Sequence, residues 1–235
     1  MRNSFLLFIL FSCGLYSQEL PEGIGPYKID KLTIEQFDSI AKTKKLKAIE
    51  CIGRKCAFDN RKVLNSYIKI YPNFNDIDDN NYSDYLIPNG FVISIKNLTI
   101  NNKYKIKDAE LLFVNDLLQQ ITFTEPSGNL NSDMTAKFGD GILRSSEDDS
   151  TCYIGDESFP FIKKYYFTNW DNNNIKLSNV IISTRNDDDC QPIIRQFINA
   201  YNSYVISHIE DVSKEKRSML EEKKKTEKIN NLKDL

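Results

Sequence analysis

Four thiols are the groups in this sequence best suited to covalent or metal chemistry: Cys51, Cys56, Cys152 and Cys190. As thiolates they would suit a four-sulfur zinc site, which wants soft ligands in close-spaced pairs. The first pair, Cys51-Ile52-Gly53-Arg54-Lys55-Cys56, is wide for a zinc knuckle, and Cys152 and Cys190 form no tight second pair. Oxidised, the same residues make two disulfides, for which an even cysteine count in an exported chain is the ordinary signature. Nearness in sequence favours Cys51–Cys56 with Cys152–Cys190. On the chain-entropy model, closing these loops contributes roughly 2 and 4 kcal/mol respectively.

Acidic side chains cluster at Asp76-Ile77-Asp78-Asp79-Asn80, Glu147-Asp148-Asp149 and Asp187-Asp188-Asp189. Calcium takes hard oxygen ligands, and Asp76, Asp78 and Asn80 fall at the first three ligand positions of an EF-hand loop. The match stops there, because Asn81 occupies the glycine position and Ile87 the bidentate glutamate position. The clusters read as solvated surface, with Asp187–Asp189 supplying negative charge to the start of a following helix. Two carboxylates across a cleft would hydrolyse a glycosidic bond, and a carboxylate-based hydrolase acting in the periplasm or outside the cell is the second functional reading. Nothing in the sequence selects the pair.

His208 is the single histidine, and its place on an apolar stripe makes it a helix residue before a general base. Ser-His-Asp catalysis lacks its Gly-x-Ser-x-Gly elbow. With nine glycines in the chain, neither Gly-x-Gly-x-x-Gly nor Gly-Lys-Ser/Thr occurs to cradle a phosphate. No catalytic residue and no cofactor is assigned. The remaining chemistry is that of surfaces. Tyr153, Phe159, Phe161, Tyr165, Tyr166, Phe167 and Trp170 fall within 18 residues. Alternate members of such a strand face the core, and the others cover a sheet face. Tyr165, Phe167 and Trp170 form the candidate binding platform, for a glycan or an envelope protein.

The N-terminus places this chemistry in a compartment. Arg2 followed by Phe5-Leu6-Leu7-Phe8-Ile9-Leu10-Phe11, then small residues at Ser12, Gly14 and Ser17, reads as a signal peptide over residues 1–17. The apolar run is shorter than the roughly 20 residues a spanning helix needs, so no transmembrane span is expected after cleavage before Gln18. The Tyr16-Ser17-Gln18 junction resembles those of exported bacterial proteins with Gln at the new N-terminus. Lipidation at Cys13 is the alternative, with Leu10-Phe11-Ser12-Cys13 as an imperfect lipobox. Formal net charge is −2, and −3 once Arg2 is removed. Such a balanced surface, without a basic stripe, excludes a nucleic-acid binder.

The elements that must position these groups follow from periodicity. Residues 18–30, with Gly23, Gly25 and Pro26, read as a flexible mature N-terminus. Thr33-Ile34-Glu35-Gln36 is a capping box, opening a short helix through Ile34, Phe37, Ile40 and Ala41. Strands are predicted at Val63 to Tyr71, Phe91 to Ile95, Tyr104 to Val114 and Leu117 to Thr124, with Asn101-Asn102 and Asn115-Asp116 as turns. Leu130, Met134 and Phe138 mark a second short helix stopped by Gly139. Further strands are predicted at Thr151–Ile154, Ile162–Thr168 and Ile175–Ser183.

From Pro192, the stripe Ile194, Phe197, Ile198, Tyr201, Tyr204, Val205, Ile209 and Val212 predicts a long C-terminal helix. The expected fold is α+β, with about six to seven short strands in a largely antiparallel sheet and three helices. It forms one domain over residues 31–212, with a charged helical extension over residues 213–235. The functional expectation is an exported, non-catalytic binding or structural domain of a bacterial envelope.

Overall fold

Thr33 starts the first helix as its neighbours dictate. In a computed structural model that describes residues 19–52, 66–71, 89–127 and 130–233, its hydroxyl accepts from the Gln36 N–H and the Gln36 side chain accepts from the Thr33 N–H, at 3.2 and 3.0 Å. Helix α1 (Ile34–Thr43) then buries Phe37 and Ala41. Ahead of it, residues 19–30 pack onto the domain. Two short strands, β1 (Gly23–Ile24) and β2 (Tyr27–Lys28), pair antiparallel, and Tyr27 and Ile29 are fully buried. The leader with Cys13, Gln18, Cys56 and the Asp76, Asp78, Asn80 cluster all lie outside the described residues.

Strand β3 (Lys47–Ile52) runs parallel to β4 (Ser66–Tyr71), and the remaining pairings of the main sheet are antiparallel. Strands β5 (Gly90–Ile100), β6 (Tyr104–Val114) and β7 (Leu117–Pro126) form a meander. Its turns are made by Asn101-Asn102 and Asn115-Asp116, all four with φ between 49° and 63°. Asn and Asp tolerate that left-handed region, which tight hairpins require. Helix α2 (Leu130–Phe138) follows, then a second meander of β8 (Ile142–Ile154), β9 (Glu157–Asn172), β10 (Ile175–Arg185) and β11 (Pro192–Asn202). Strand β11 pairs with β7, so the two meanders fuse into one nine-stranded sheet of order 3-4-5-6-7-11-10-9-8. Helix α3 (Ser203–Lys233) closes the chain.

One row of the first meander breaks the two-residue alternation in three neighbouring strands at once. Core residues step by three there, from Ile95 to Leu98, from Ile106 to Ala109 and from Phe123 to Pro126. Asn97, Lys107 and Glu125 lie between the paired rows Lys96–Asp108–Thr124 and Leu98–Ile106–Pro126. Asn97 and Glu125 take positive φ, 53° and 49°. Two successive residues per strand therefore face outward, and ion pairs between Lys107 and Glu125 and between Lys96 and Asp108 knit them together.

The sheet has a front face covered by α1 and α2 and a back face crossed by α3. The front core joins Phe37, Leu130 and Met134 from the helices to Tyr67, Ile93, Phe113, Ile121, Leu177 and Ile198 from the strands. Phe37 meets Tyr67 and Phe113 edge-on, with ring centroids 5.1 and 5.9 Å apart. Behind β4–β6, Ile209 of α3 is buried against Ile68, Ile70, Val92 and Leu112, with Val205 and Ile206 alongside. Among the residues of this 31-residue helix whose burial is described, Ser213 is the last that is buried.

The expectation of six to seven short strands is corrected to nine in the main sheet, the longest 16 residues. The largest single departure is β11, where a helix was predicted. Ile194, Phe197, Ile198 and Tyr201 satisfy helical spacing, yet Ile198 and Ala200 also alternate as a strand, and both are fully buried. β-branched and aromatic residues suit a pleated surface, and β11 pairs along its whole length with β10 and partly with β7. Helix begins only at Ser203, so the C-terminal helix is shorter at its start by the whole of β11. β3 is an edge strand that the sequence pattern did not mark.

Candidate functional site

Continuous register through β8–β11 fixes which side chains share a face. Trp170 opposes Leu177, which opposes Ala200, and Ala200 opposes Ile121, so all four face the front core. Trp170 is buried, its indole N–H donates to the Gly139 main-chain oxygen at 2.7 Å, and its ring lies 6.5 Å from that of Phe138. Tyr165 and Phe167 lie on the back face, their rings nearly parallel at 8° with centroids 6.3 Å apart. The structure thus separates the three aromatics of the candidate platform: Trp170 belongs to the core, and Tyr165 and Phe167 belong to an open surface.

That surface is wider than the aromatic pair. Phe167 opposes Val180 on β10, and Val180 opposes Phe197 on β11. Tyr165 likewise opposes Ile182, which opposes Arg195. On β8, Arg144 faces Phe167 and Asp148 faces Lys163. Beyond Trp170 and Leu177, no helix packs across this part of the sheet among the described residues. Even so, the odd-numbered, back-facing residues of β9 from Phe159 to Asn169 are all half-buried, whereas Pro160, Ile162 and Tyr166 on the front are exposed. One-sided shelter of this kind is what a curled sheet gives, as twisted antiparallel sheets do, and the back face is taken as its concave side.

The curl is fastened. Pairing of β9 with β10 stops at Lys164–Ser183, while β8 and β9 continue together to the Ile154–Glu157 turn as a two-stranded arm. Cys152 near the end of that arm is disulfide-bonded to Cys190 in the β10–β11 loop, with their Cα atoms 5.8 Å apart. Arg185 adds to the joint, donating to the Cys190 carbonyl at 2.9 Å with its guanidinium 5.6 Å from the Phe161 ring centroid. Cys51 is buried and disulfide-bonded as well.

Charge on the concave face is one-sided. Arg144, Lys163 and Arg195 face it with Asp148 as the single acid in the same rows, by the register among the described residues. Lysines elsewhere, Lys31, Lys96 and Lys107 among them, are held in ion pairs, but none of the pairs among the described residues engages these three cations. Lys163 instead lies 5.1 Å over the Tyr165 ring, a cation–π contact. On the front face the equivalent lysine is neutralised: Lys164 meets Glu147 at 3.0 Å, and that partner raises its pKa.

Among the described residues the carboxylates sit in more open or ion-paired settings. An open cleft of about 360 Å³ along the β8–β9 arm is lined by Asp149 as its only carboxylate. A cleft of about 150 Å³ between the β1–β2 hairpin and α2 holds Asp133, itself paired with Lys103. Among the described residues the one carboxylate with a resolved shift, Glu22, is lowered by Lys31, the opposite of what a general acid needs. His208 is exposed on α3, and no group of three metal-ligating side chains occurs among the described residues.

The fold and this face define a largely antiparallel sheet with a back surface over β8–β11 that no helix covers among the described residues. No protein-family model, curated protein or solved structure matches the chain. No helix among the described residues is long and apolar enough to cross a membrane.

Proposed function

We propose that this chain is an exported, non-catalytic binding domain of a bacterial envelope, and that it takes up its partner on the concave face of β8–β11. The observation that carries this reading is the coexistence, on one face that no helix covers among the described residues, of Phe167, Tyr165, Val180, Ile182 and Phe197 with three cations that no ion pair among those residues engages. Half-buried aromatics beside unpaired cations are the composition of interface centres, where aromatic residues and Arg are enriched. The Cys152–Cys190 bond is compatible with an oxidising compartment, where such bonds persist.

Native mass spectrometry of the full chain, purified from its own host's envelope, tests the reading. We expect a polypeptide beginning at Gln18 that retains a second component, and a Phe167→Ser, Val180→Ser variant that folds but retains none. A bare wild-type chain, or retention unchanged by the variant, defeats the assignment to this face.

A further inference from the structure

The same sheet shows how its back face accepts a partner. Behind β4–β6 it is covered by a helix: α3 seats Val205, Ile206 and Ile209 on Ile68, Ile70, Val92 and Leu112. Behind β8–β11 the corresponding surface carries Phe167, Val180, Ile182 and Phe197, and no helix covers it among the described residues. Four strands at about 4.8 Å spacing are about 14 Å wide, which matches the 10–12 Å diameter of an α-helix with its side chains. We infer that the occupant of the concave face is an amphipathic helix of another protein, with an apolar stripe flanked by Asp and Glu.

Each part of that description comes from a named feature. Phe167, Val180 and Phe197 make one apolar row across β9, β10 and β11, and Ile182 extends the apolar surface toward Tyr165. An apolar helical stripe laid over them would bury these side chains, as α3 does for its own half of the sheet. Arg144 on β8 and Arg195 on β11 stand on opposite sides of β9 and β10, with Lys163 between them. Acidic residues on both shoulders of the helix would meet the two guanidinium groups, which recognise carboxylates in bidentate geometry. The arm tied down by Cys152–Cys190 supplies a preformed wall, so less ordering is needed on binding.

This inference rests on the concave face being the binding surface, and the experiment separates the two. The probes are a synthetic peptide with leucines at helical i, i+3, i+4, i+7 spacing and glutamates flanking them, and its counterpart with lysines replacing the glutamates. Each is titrated into the full chain by fluorescence anisotropy, with backbone NMR shifts locating the contact. We expect the acidic peptide to bind at least about tenfold tighter than the basic one, a preference worth about 1.4 kcal/mol. We expect it to shift resonances of Tyr165, Phe167, Ile182 and Phe197, and to gain helix on binding. An Arg144→Glu, Arg195→Glu variant should reverse the preference. Equal binding of the two peptides, shifts confined to other surfaces, or equal affinity for an acidic peptide broken by proline overturns the inference. An acidic glycan that binds this face while the acidic peptide does not overturns it as well, yet leaves the binding assignment standing. Loss of all retained partners in the envelope experiment would remove both.

Discussion

Asn202 and Asp30, 172 residues apart in sequence, are joined by a side-chain hydrogen bond from the Asn202 amide to the Asp30 carboxylate. The other end of the Asn202 amide caps α3, its oxygen accepting from the N–H groups of Tyr204 and Val205 at 3.1 and 3.2 Å. One side chain thus starts the last helix and anchors the segment before the first.

Asn202→Ala should lower stability by about 1–2 kcal/mol through loss of the cap, read as a shift in urea midpoint. Asn202→Asp keeps a capping oxygen but sets a carboxylate against Asp30. It should be less stable than Asn202→Ser at neutral pH, read again as a difference in urea midpoint.

Trp170 is the only tryptophan of the chain and is buried, so native emission should be blue-shifted and should redden in one transition on unfolding. Trp170→Phe removes the indole donor and leaves the Gly139 oxygen unpaired, at a cost of about 1–3 kcal/mol. Gly141→Ala should be destabilising for a steric reason. Its Cβ would come within 2.7 Å of Thr168 Cγ2, 2.8 Å of the Asn169 oxygen and 2.9 Å of the Trp170 ring.

Replacing Cys152 and Cys190 together by serine opens a loop of sequence separation 38. A loss of about 4 kcal/mol is expected on the chain-entropy model. Hydrogen exchange should speed up mainly in the β8–β9 arm beyond Lys164, where β9 has no pairing with β10, and less in β5–β7. Uniform loss of protection would show that the bond supports the whole sheet.

Burial pushes the Tyr27 phenol from its ordinary 10.0 up to about 12. Tyr67 is raised by burial and by its hydrogen bond to Asp38. Below pH 10 both phenols are protonated whether the chain is folded or not, and stability does not depend on them. As pH rises through 10 the unfolded chain ionises first, so stability falls until the folded phenols ionise in turn. For Tyr27 the full loss is about 2–3 kcal/mol. Tyr27→Phe should flatten this alkaline limb, measured as urea midpoints at neutral pH and at about pH 11.5.

Local signals in the sequence were read well. The Thr33 capping box, the Asn101-Asn102 and Asn115-Asp116 turns and the helix ending before Gly139 all depend on neighbours a few residues apart. The segment 192–202 was misread because Ile194, Phe197, Ile198 and Tyr201 fit two periods at once. The vacancy between β7 and β10 that made it a strand is a long-range fact.

Part of the site was also within reach. Phe167 and Trp170 are three residues apart, which places them on opposite faces of an unbroken strand, and Tyr165 and Phe167, two apart, on one. The rest of the concave face was not. Val180, Phe197, Arg144 and Arg195 join Phe167 and Tyr165 only through registers between distant strands.

The row through Asn97, Lys107 and Glu125 has a consequence for how this protein can change over generations. Each of β5, β6 and β7 carries one extra residue at that row. Deleting the extra residue from one strand alone would restore simple alternation in that strand, with Ile95 in, Lys96 out and Leu98 in for β5, but would leave it one residue shorter across the row than the strands it pairs with. A length change confined to one strand would turn the matched row into a bulge, whereas a change shared by all three keeps the strands in step. Across descendants of this gene, length changes at the three positions should therefore be inherited as a set.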